Sequence, residues 1–415
     1  MIISLVVWLL RIIVGGTFVF SGFTKAVDPW GSMYKIQEYL AAWGFEGMPR
    51  EALFFTASVL AMIEFTAGAM LLLGCMRRVS VWVIAALMLV MLPLSIYIAV
   101  ANPVADCGCF GDALVISNQA TMWKNIVLTL LIIVLLKWNT WADGSIVPIM
   151  QWIPASACVL YCVVLSFVGL TIQPVVDFRP YKVGEPLMAQ DDEVEAPELI
   201  YEKDGERRPF TVDDLPGDDW TYVGRAESDR PDKKTFTIYD GDEDVTEDVI
   251  REDGDQVILT VSNPRYHNRA RSSMANRVNE YCHIVGADMI GVVAIAPENL
   301  HLWEELANPD FPVYTADDVA IKELVRGDAS LIFLRDGVIQ WKRDIYSLPG
   351  DFPDFDSPDN QLTLVEAVDD GRLVRKITWV FLAVIGASWL LSLPVVVKWR
   401  IDRKRRRAKL LAQRQ

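Results

Sequence analysis

The chain has 415 residues, 54 acidic against 39 basic side chains, a formal net charge of −15 and 52% hydrophobic residues. It is too apolar for an ordinary soluble protein and too acidic to be apolar throughout, so the two characters must occupy different regions. The acidic balance excludes nucleic acid as a natural partner, because affinity for a phosphate backbone comes from clustered Lys and Arg.

A hydrocarbon core of roughly 30 Å takes about 20 helical residues to cross. Windows of that kind fall at about residues 2–23, 52–74, 79–101, 121–138, 152–173 and 376–397. The first run exceeds the h-region of a signal peptide, about 7–15 residues, and is expected to be retained as a helix. Arg11 interrupts it in VVWLLRIIVGG, and Glu64 interrupts the second in AMIEFTAGAM. An ionisable group at such depth costs about 2.5–3.5 kcal/mol on insertion scales. Each lies about ten residues, roughly 15 Å of helix, from the same end of its segment, so antiparallel neighbours would bring Arg11 and Glu64 level as an intramembrane charge pair. Two roles are open for such a pair: an ion pair that fixes helix register, and a proton or ligand site. Gly15, Gly16, Ala67 and Gly68 are small enough to let helices approach closely.

After the first segment, Asp28 suits an N-cap and Pro29 the first helical position. Trp30, Met33, Tyr34, Leu40 and Trp43 then form a roughly helical apolar stripe that Gly44 can end. Such a helix fits the membrane interface, where Trp and Tyr are favoured, and core packing against the bundle is the equal alternative.

Basic residues near membrane ends stay cytoplasmic. The C-terminal run KWRIDRKRRRAKLLAQRQ places residues 398–415 inside, as a tail that anionic membrane lipid would attract. Counting back puts Arg77 and Arg78 inside as well. Residues 175–375 and the loop between the third and fourth segments then lie outside the cytoplasmic membrane of a bacterium, in an oxidising compartment.

That outside loop reads DCGCFGD, from Asp106 to Asp112. Cys107 and Cys109 stand one residue apart among glycines, which allow turn conformations closed to other residues. A disulfide between them requires a bent chain and is expected to be strained and readily reduced. Redox exchange, a static bridge and a cross-link to a partner are all open. A metal site is disfavoured, since two thiols are too few ligands and none of the three histidines is near in sequence. Cys158 and Cys162, one helical turn apart, read as small core residues, and Cys75 and Cys282 as lone thiols.

The stretches FSGFTKAVDPWG, IEFTAGAMLLLG and DCGCFGDALVISNQATMWKNIVLTLLII resemble the DoxX-like and MauE families of bacterial membrane proteins, in a Bacteroidetes-type form with an appended extracytoplasmic domain. The resemblance spans roughly residues 1–140 and implies a compact four-helix membrane bundle. It further implies that Cys107 and Cys109 correspond to the family's cysteine motif and that Arg11 and Glu64 correspond to its membrane-embedded charges. MauE-type members are implied in disulfide formation or maturation of periplasmic methylamine dehydrogenase, and some DoxX-type members in a thiosulfate:quinone oxidoreductase.

From residue 175 the composition turns acidic and turn-rich, reading as a linker with a hairpin at Asp204-Gly205 over residues 175–234. Over residues 235–350 strands and helices alternate. TFTIYDGD, QVILTV, MIGVVAIA and FPVYT are expected as strands; Arg265 to His283, Pro297 to Ala307 and Asp317 to Arg326 as helices; and SLIFLRDGVIQWK as a hairpin. The alternation resembles the thioredoxin fold but lacks its chemistry. The segment after VILTV reads SNPRYHNRAR, without cysteine, and Asp328, Ala329 and Ser330 stand where a proline is expected. His267 lies in the altered loop.

The expected architecture is therefore an all-α membrane bundle: a four-helix core over 1–140, a fifth helix within 141–174 and a sixth over 376–397. An α/β thioredoxin-like soluble domain at 235–350 is inserted before a linker at 351–375. The expected function is thiol-disulfide exchange at Cys107 and Cys109 on an extracytoplasmic client protein, with a quinone as candidate electron acceptor. A non-enzymatic envelope factor with a static bridge is the alternative, and a small-molecule carrier using Arg11 and Glu64 is a third, weakened by the lack of an inverted repeat.

Overall fold

In a computed structural model the chain divides into two units, Met1–Phe178 with Ala367–Gln415, and Arg179–Glu366. The described residues are 2–45, 47–104, 106–188, 199–203, 206–210, 221–225, 236–266, 269–348 and 370–412. Asp204-Gly205, His267 and the linker 351–369 lie outside them.

The first unit is helical: α1 (Ile2–Val27), α2 (Pro29–Ala42), α3 (Arg50–Leu72), α4 (Arg77–Ala101), α5 (Asn118–Trp138), α6 (Trp152–Thr171) and, from the end of the chain, α11 (Asp370–Ala412). Among the described residues six helices are long and apolar enough to cross a membrane; α2 is not one of them. Their exteriors stay apolar, as with Leu89, Val100 and Phe167, because in lipid a helix satisfies its backbone internally and needs no polar face. The start of α2 follows from local chemistry: Asp28 Oδ1 accepts from Gly31 N at 2.9 Å and Pro29 opens the helix.

Close approach of α1 and α3 sets the register of the bundle. A Cβ on Gly22 would run into the backbone of Phe65 and Ala61, and one on Gly68 would lie 2.7 Å from Val19 N. One on Gly15 would lie 2.9 Å from the Gly68 carbonyl and from Leu72. Gly16, by contrast, faces open space. The expected role of small residues therefore belongs to Gly15 and Gly68, with Gly22 added.

This register overturns the expected pairing of Arg11 with Glu64. Gly22 beside Phe65, Val19 beside Gly68 and Gly15 beside Leu72 describe one antiparallel alignment. Continued down α1, it places Arg11 level with Gly74, past the end of α3 at Leu72. Counting residues from each helix end assumed flush ends, whereas α1 overhangs α3 by several turns. The Arg11 guanidinium instead gathers the end of α5 and the turn after it. Nε donates to Asn139 Oδ1 at 2.7 Å and Nη2 to the carbonyls of Asn139 and Ala142 at 2.6 and 3.1 Å. The Asn139 carbonyl stands at the C-cap of α5, where helix acceptors lack an intrahelical partner, and Trp8 stacks on the guanidinium at 4.8 Å.

In the second unit, β1 (Leu199–Lys203) pairs antiparallel with β2 (Glu206–Phe210), giving the expected hairpin, and with β3 (Thr221–Arg225) on its other side. The larger sheet contains β4 (Ile238–Asp240), β5 (Glu243–Asp244), β6 (Asp255–Val261), β7 (Asp288–Val293), β8 (Val313–Ala316), β9 (Ala329–Arg335) and β10 (Val338–Asp344), in the order β10-β9-β6-β7-β8-β4-β5. Strands β6, β7 and β8 run parallel, while β9, β10 and β4 run antiparallel to their neighbours. The short α7 (Thr246–Val249) follows β5, and α8 (Arg269–Val285), α9 (Leu300–Ala307) and α10 (Asp318–Leu324) connect the later strands. Both faces of the sheet are covered, so β6 is a nearly continuous apolar run: Val257, Leu259 and Val261 pack with Val278 and Trp303, and Ile258 packs with Ile321 and Leu324.

Candidate functional site

The Cys107–Cys109 loop leaves α4 at Asn102, whose φ of +47° gives the left-handed residue that ends the helix. The two cysteines form a disulfide with Cα atoms 5.4 Å apart. The bend that permits it is made at Gly108, with φ of +62°, and the Gly108 N–H donates to Asp106 Oδ1 at 2.7 Å.

Helix α2 holds this loop from one side. Lys35 Nζ lies 3.1 Å from Asp106 Oδ2 and 2.8 Å from Glu38 Oε2, with its aliphatic stem against Gly108. Tyr39 donates its hydroxyl to the Cys107 carbonyl at 2.8 Å. Burial opposes the charge on Lys35, yet the hydrogen bond it donates to Glu38 and the charge of Asp106 outweigh it and raise the ammonium above its ordinary value. Burial first, then Asp106 and Glu38, raise the Tyr39 phenol as well, so it stays a donor.

From the bundle side, Glu64 arrives through α3 and Lys25 through the last turn of α1. Lys25 Nζ donates to Glu64 Oε2 at 2.7 Å, to Ser21 Oγ at 2.7 Å and to the Cys109 carbonyl at 3.0 Å. Ser21 Oγ lies 2.7 Å from both Glu64 Oε2 and the Cys109 carbonyl. Both charged residues are buried, at 8% and 3% relative exposure, and each satisfies the other. Phe110 is buried beside them against Phe20, ring centroids 5.3 Å apart, with Lys124 Nζ 4.1 Å from its centroid.

Beneath the disulfide these groups enclose a cavity of about 190 Å³. Cys107, Cys109, Ser21, Lys25, Glu64 and Lys124 line its polar part, and Ala57, Leu60, Met88, Met91, Leu94 and Leu128 form apolar wall. Cys107 is buried and Cys109 half-buried. Of the residues singled out from sequence, the structure brings Cys107, Cys109 and Glu64 together and sends Arg11 to the other end of α1. Lys25, Ser21, Tyr39 and Lys124 were missed. Nothing in their local sequence marks Lys25 and Lys124, which stand near segment ends, and only their place on the cavity wall makes them part of a site.

Among its described residues the second unit offers no comparable centre. The segment after β6, from Ser262, is fastened to the one before β9: Ser262 N donates to the Asp328 carbonyl at 3.0 Å and Ser262 Oγ to that of Gly327 at 2.5 Å. Cys282 is fully buried in α8, where burial, then Asp288 and Asp255, push its thiol up to about 12. Among the described residues no His, Cys, Asp and Glu cluster able to hold a metal is found.

Residues 3–138, about a third of the chain, match the family described as Methylamine utilisation protein MauE. The match runs from α1 through α5, so the whole cysteine site lies within the matched residues. Residues 196–228 match a family described as Domain of unknown function (DUF8463), which contains the three-stranded sheet. No curated protein matches the chain.

Proposed function

We propose that the MauE-type segment oxidises dithiols of extracytoplasmic proteins through the Cys107–Cys109 disulfide. The observation that carries this reading is a disulfide between a half-buried and a buried cysteine, held over a largely apolar cavity that a few charged side chains border, at one end of a membrane bundle. In the proposed step a client thiolate attacks the Sγ of Cys109, the more exposed residue of the two, and Cys107 leaves as thiolate. The client's second thiolate then attacks its own sulfur in the mixed disulfide. The client gains a disulfide, and the pair becomes a dithiol carrying two electrons and two protons. A lipid-soluble quinone reduced to quinol completes the balance.

The same reading places the cysteine loop and Arg179–Glu366 on the periplasmic side of a bacterial inner membrane, with the basic C-terminal tail in the cytoplasm. The domain over 235–350 is then a thioredoxin-like module without Cys-X-X-Cys, which supplies client binding and leaves the exchange to the membrane loop. Its support is the absence of any exposed thiol among its described residues, since Cys282 is fully buried.

A mass-tagged alkylating reagent applied to membranes, before and after mild reductant, tests the proposal. Cycling of Cys107 and Cys109 between states as respiration is switched on and off is the expected result. A pair that stays oxidised until the protein is denatured sinks it in favour of a static bridge, for which the clamp by Lys35 and Tyr39 would be the rationale.

A further inference from the structure

The charged groups on the wall of the cavity are Lys25, Lys35, Glu64 and Lys124, and they do not balance. Lys25 is answered by Glu64, and Lys35 by Glu38 and Asp106. Lys124 is left over. Its ammonium rests on the ring of Phe110, and among the described residues it makes no ion pair and no hydrogen bond. It does so inside the span Asn118–Trp138, where a cation without an oxygen acceptor is costly. A ligand that brings an oxygen to Lys124 would remove that cost.

The rest of the wall narrows what the ligand is. Ala57, Leu60, Met88, Met91, Leu94 and Leu128 are apolar, and methionine adapts its shape to a flat ring. A volume of about 190 Å³ is that of some six waters at roughly 30 Å³ each, enough for one substituted six-membered ring and too little for a peptide. The two cysteines border the same space.

We propose that this cavity holds the ring headgroup of a lipid-soluble quinone, with a carbonyl oxygen on Lys124, and that the reduced cysteine pair is reoxidised there. The proposal rests on the redox reading above and adds the site of the oxidant. Formation of the Cys107–Cys109 bond releases two electrons and two protons, and both pairs end on the ring oxygens. The Lys124 ammonium stands where negative charge develops on oxygen, a preorganised donor in a low-dielectric site. The Phe110 ring, 4.1 Å from Lys124 Nζ, holds the ammonium at the cavity wall.

The test uses the full chain in lipid nanodiscs with an azido-benzoquinone of short isoprenoid tail as photolabel, followed by peptide mapping. Labelling is expected on residues 88–94 of α4 and 124–128 of α5, and it should be competed by the unlabelled quinone. Lys124→Met should weaken that competition by about tenfold or more, the loss of one charge-assisted hydrogen bond. Lys124→Arg should restore most of it. Leu128→Trp, which fills the cavity with an apolar ring, should abolish labelling without removing any charge. Labelling elsewhere, or competition unchanged in both Lys124→Met and Leu128→Trp, overturns the site. A wild-type pair that fails to oxidise a small dithiol while the label still maps to α4 and α5 overturns the redox function and leaves the binding site standing.

Discussion

Lys25 and Glu64 meet at 2.7 Å, and the same ammonium reaches the Cys109 carbonyl at 3.0 Å. This buried pair therefore ties α1 and α3 to the cysteine loop, so the membrane bundle and the disulfide are parts of one construction. Removing one member leaves the other buried and charged without its counter-ion. Lys25→Met or Glu64→Leu alone should cost about 3–5 kcal/mol, while the double variant should recover much of that, because two apolar groups leave no orphan charge. Thermal unfolding of the detergent-solubilised protein measures this. Single losses that simply add in the double variant would mean the two residues act independently.

The contact between α1 and α3 yields a sharper contrast. Gly22→Ala puts a methyl group into the backbone of Phe65 and Ala61, whereas Gly16→Ala meets nothing within 4 Å. The first should destabilise by about 1–3 kcal/mol through overpacking. The second should stay neutral or gain slightly, since alanine is the better helix former. Equal melting temperatures for the two variants would show that the helices are not packed through Gly22.

How far the sequence reached is clear from particular residues. The membrane helices, the cap at Asp28 and the strands β6 to β10 depend on local pattern, which length, apolarity and capping chemistry make readable. Cys107 and Cys109 were visible because their spacing is rare. The partners of Arg11 and Glu64 were not, because pairing depends on the stagger between two helices, and that stagger is set by Gly22 and Gly68 meeting backbone. Lys25 and Lys124 were hidden for a related reason: a cation near a segment end reads as an interface anchor until neighbouring helices close over it.

Arg11 makes a further expectation possible. Its guanidinium reaches Asn139 Oδ1 and the carbonyls of Asn139 and Ala142 at once, a fork that a single ammonium cannot reproduce. Arg11→Lys should therefore behave nearly as badly as Arg11→Met, each losing several charge-assisted hydrogen bonds worth about 1.5–3 kcal/mol apiece before relaxation. The yield of folded protein in membranes, read by gel filtration, distinguishes the two cases. A lysine variant indistinguishable from wild type would mean that charge alone is required.

Cys282 gives the second unit a pH signature. Its thiol is raised from 9.0 to about 12 by burial, then by Asp288 and Asp255. Once the pH exceeds 9.0, an unfolded chain sheds this proton while the folded one keeps it. The contribution to stability is therefore complete below pH 9 and is lost as the pH rises toward about 12. Urea unfolding between pH 8 and 11, read through the second unit, should decline more steeply for wild type than for Cys282→Ala. Iodoacetamide should leave the native thiol unmodified at pH 8. Parallel pH slopes, or rapid native alkylation, would contradict the burial.

The last expectation concerns Gly108, where two costs can be separated. Its φ of +62° disfavours any side chain, and a Cβ there would lie 2.5 Å from the Lys35 stem. Gly108→Ala therefore adds a clash to a strained backbone, whereas Gly111→Ala, with φ of +53° and nothing within 4 Å, adds strain alone. The strain is about 1–2 kcal/mol for a residue forced left-handed. Gly111→Ala should show that cost and little more. Gly108→Ala should exceed it and should also loosen the clamp formed by Lys35 on Asp106, so that Cys109 reacts faster with a small dithiol. Combining Gly108→Ala with Lys35→Ala removes the clash but not the strain and leaves Asp106 without its lysine. Stability should then recover toward the Gly111→Ala value while the fast exchange remains. If stability and exchange rate instead recover together, Lys35 serves only to fill space beneath the loop and its ion pair with Asp106 does not hold the disulfide in place.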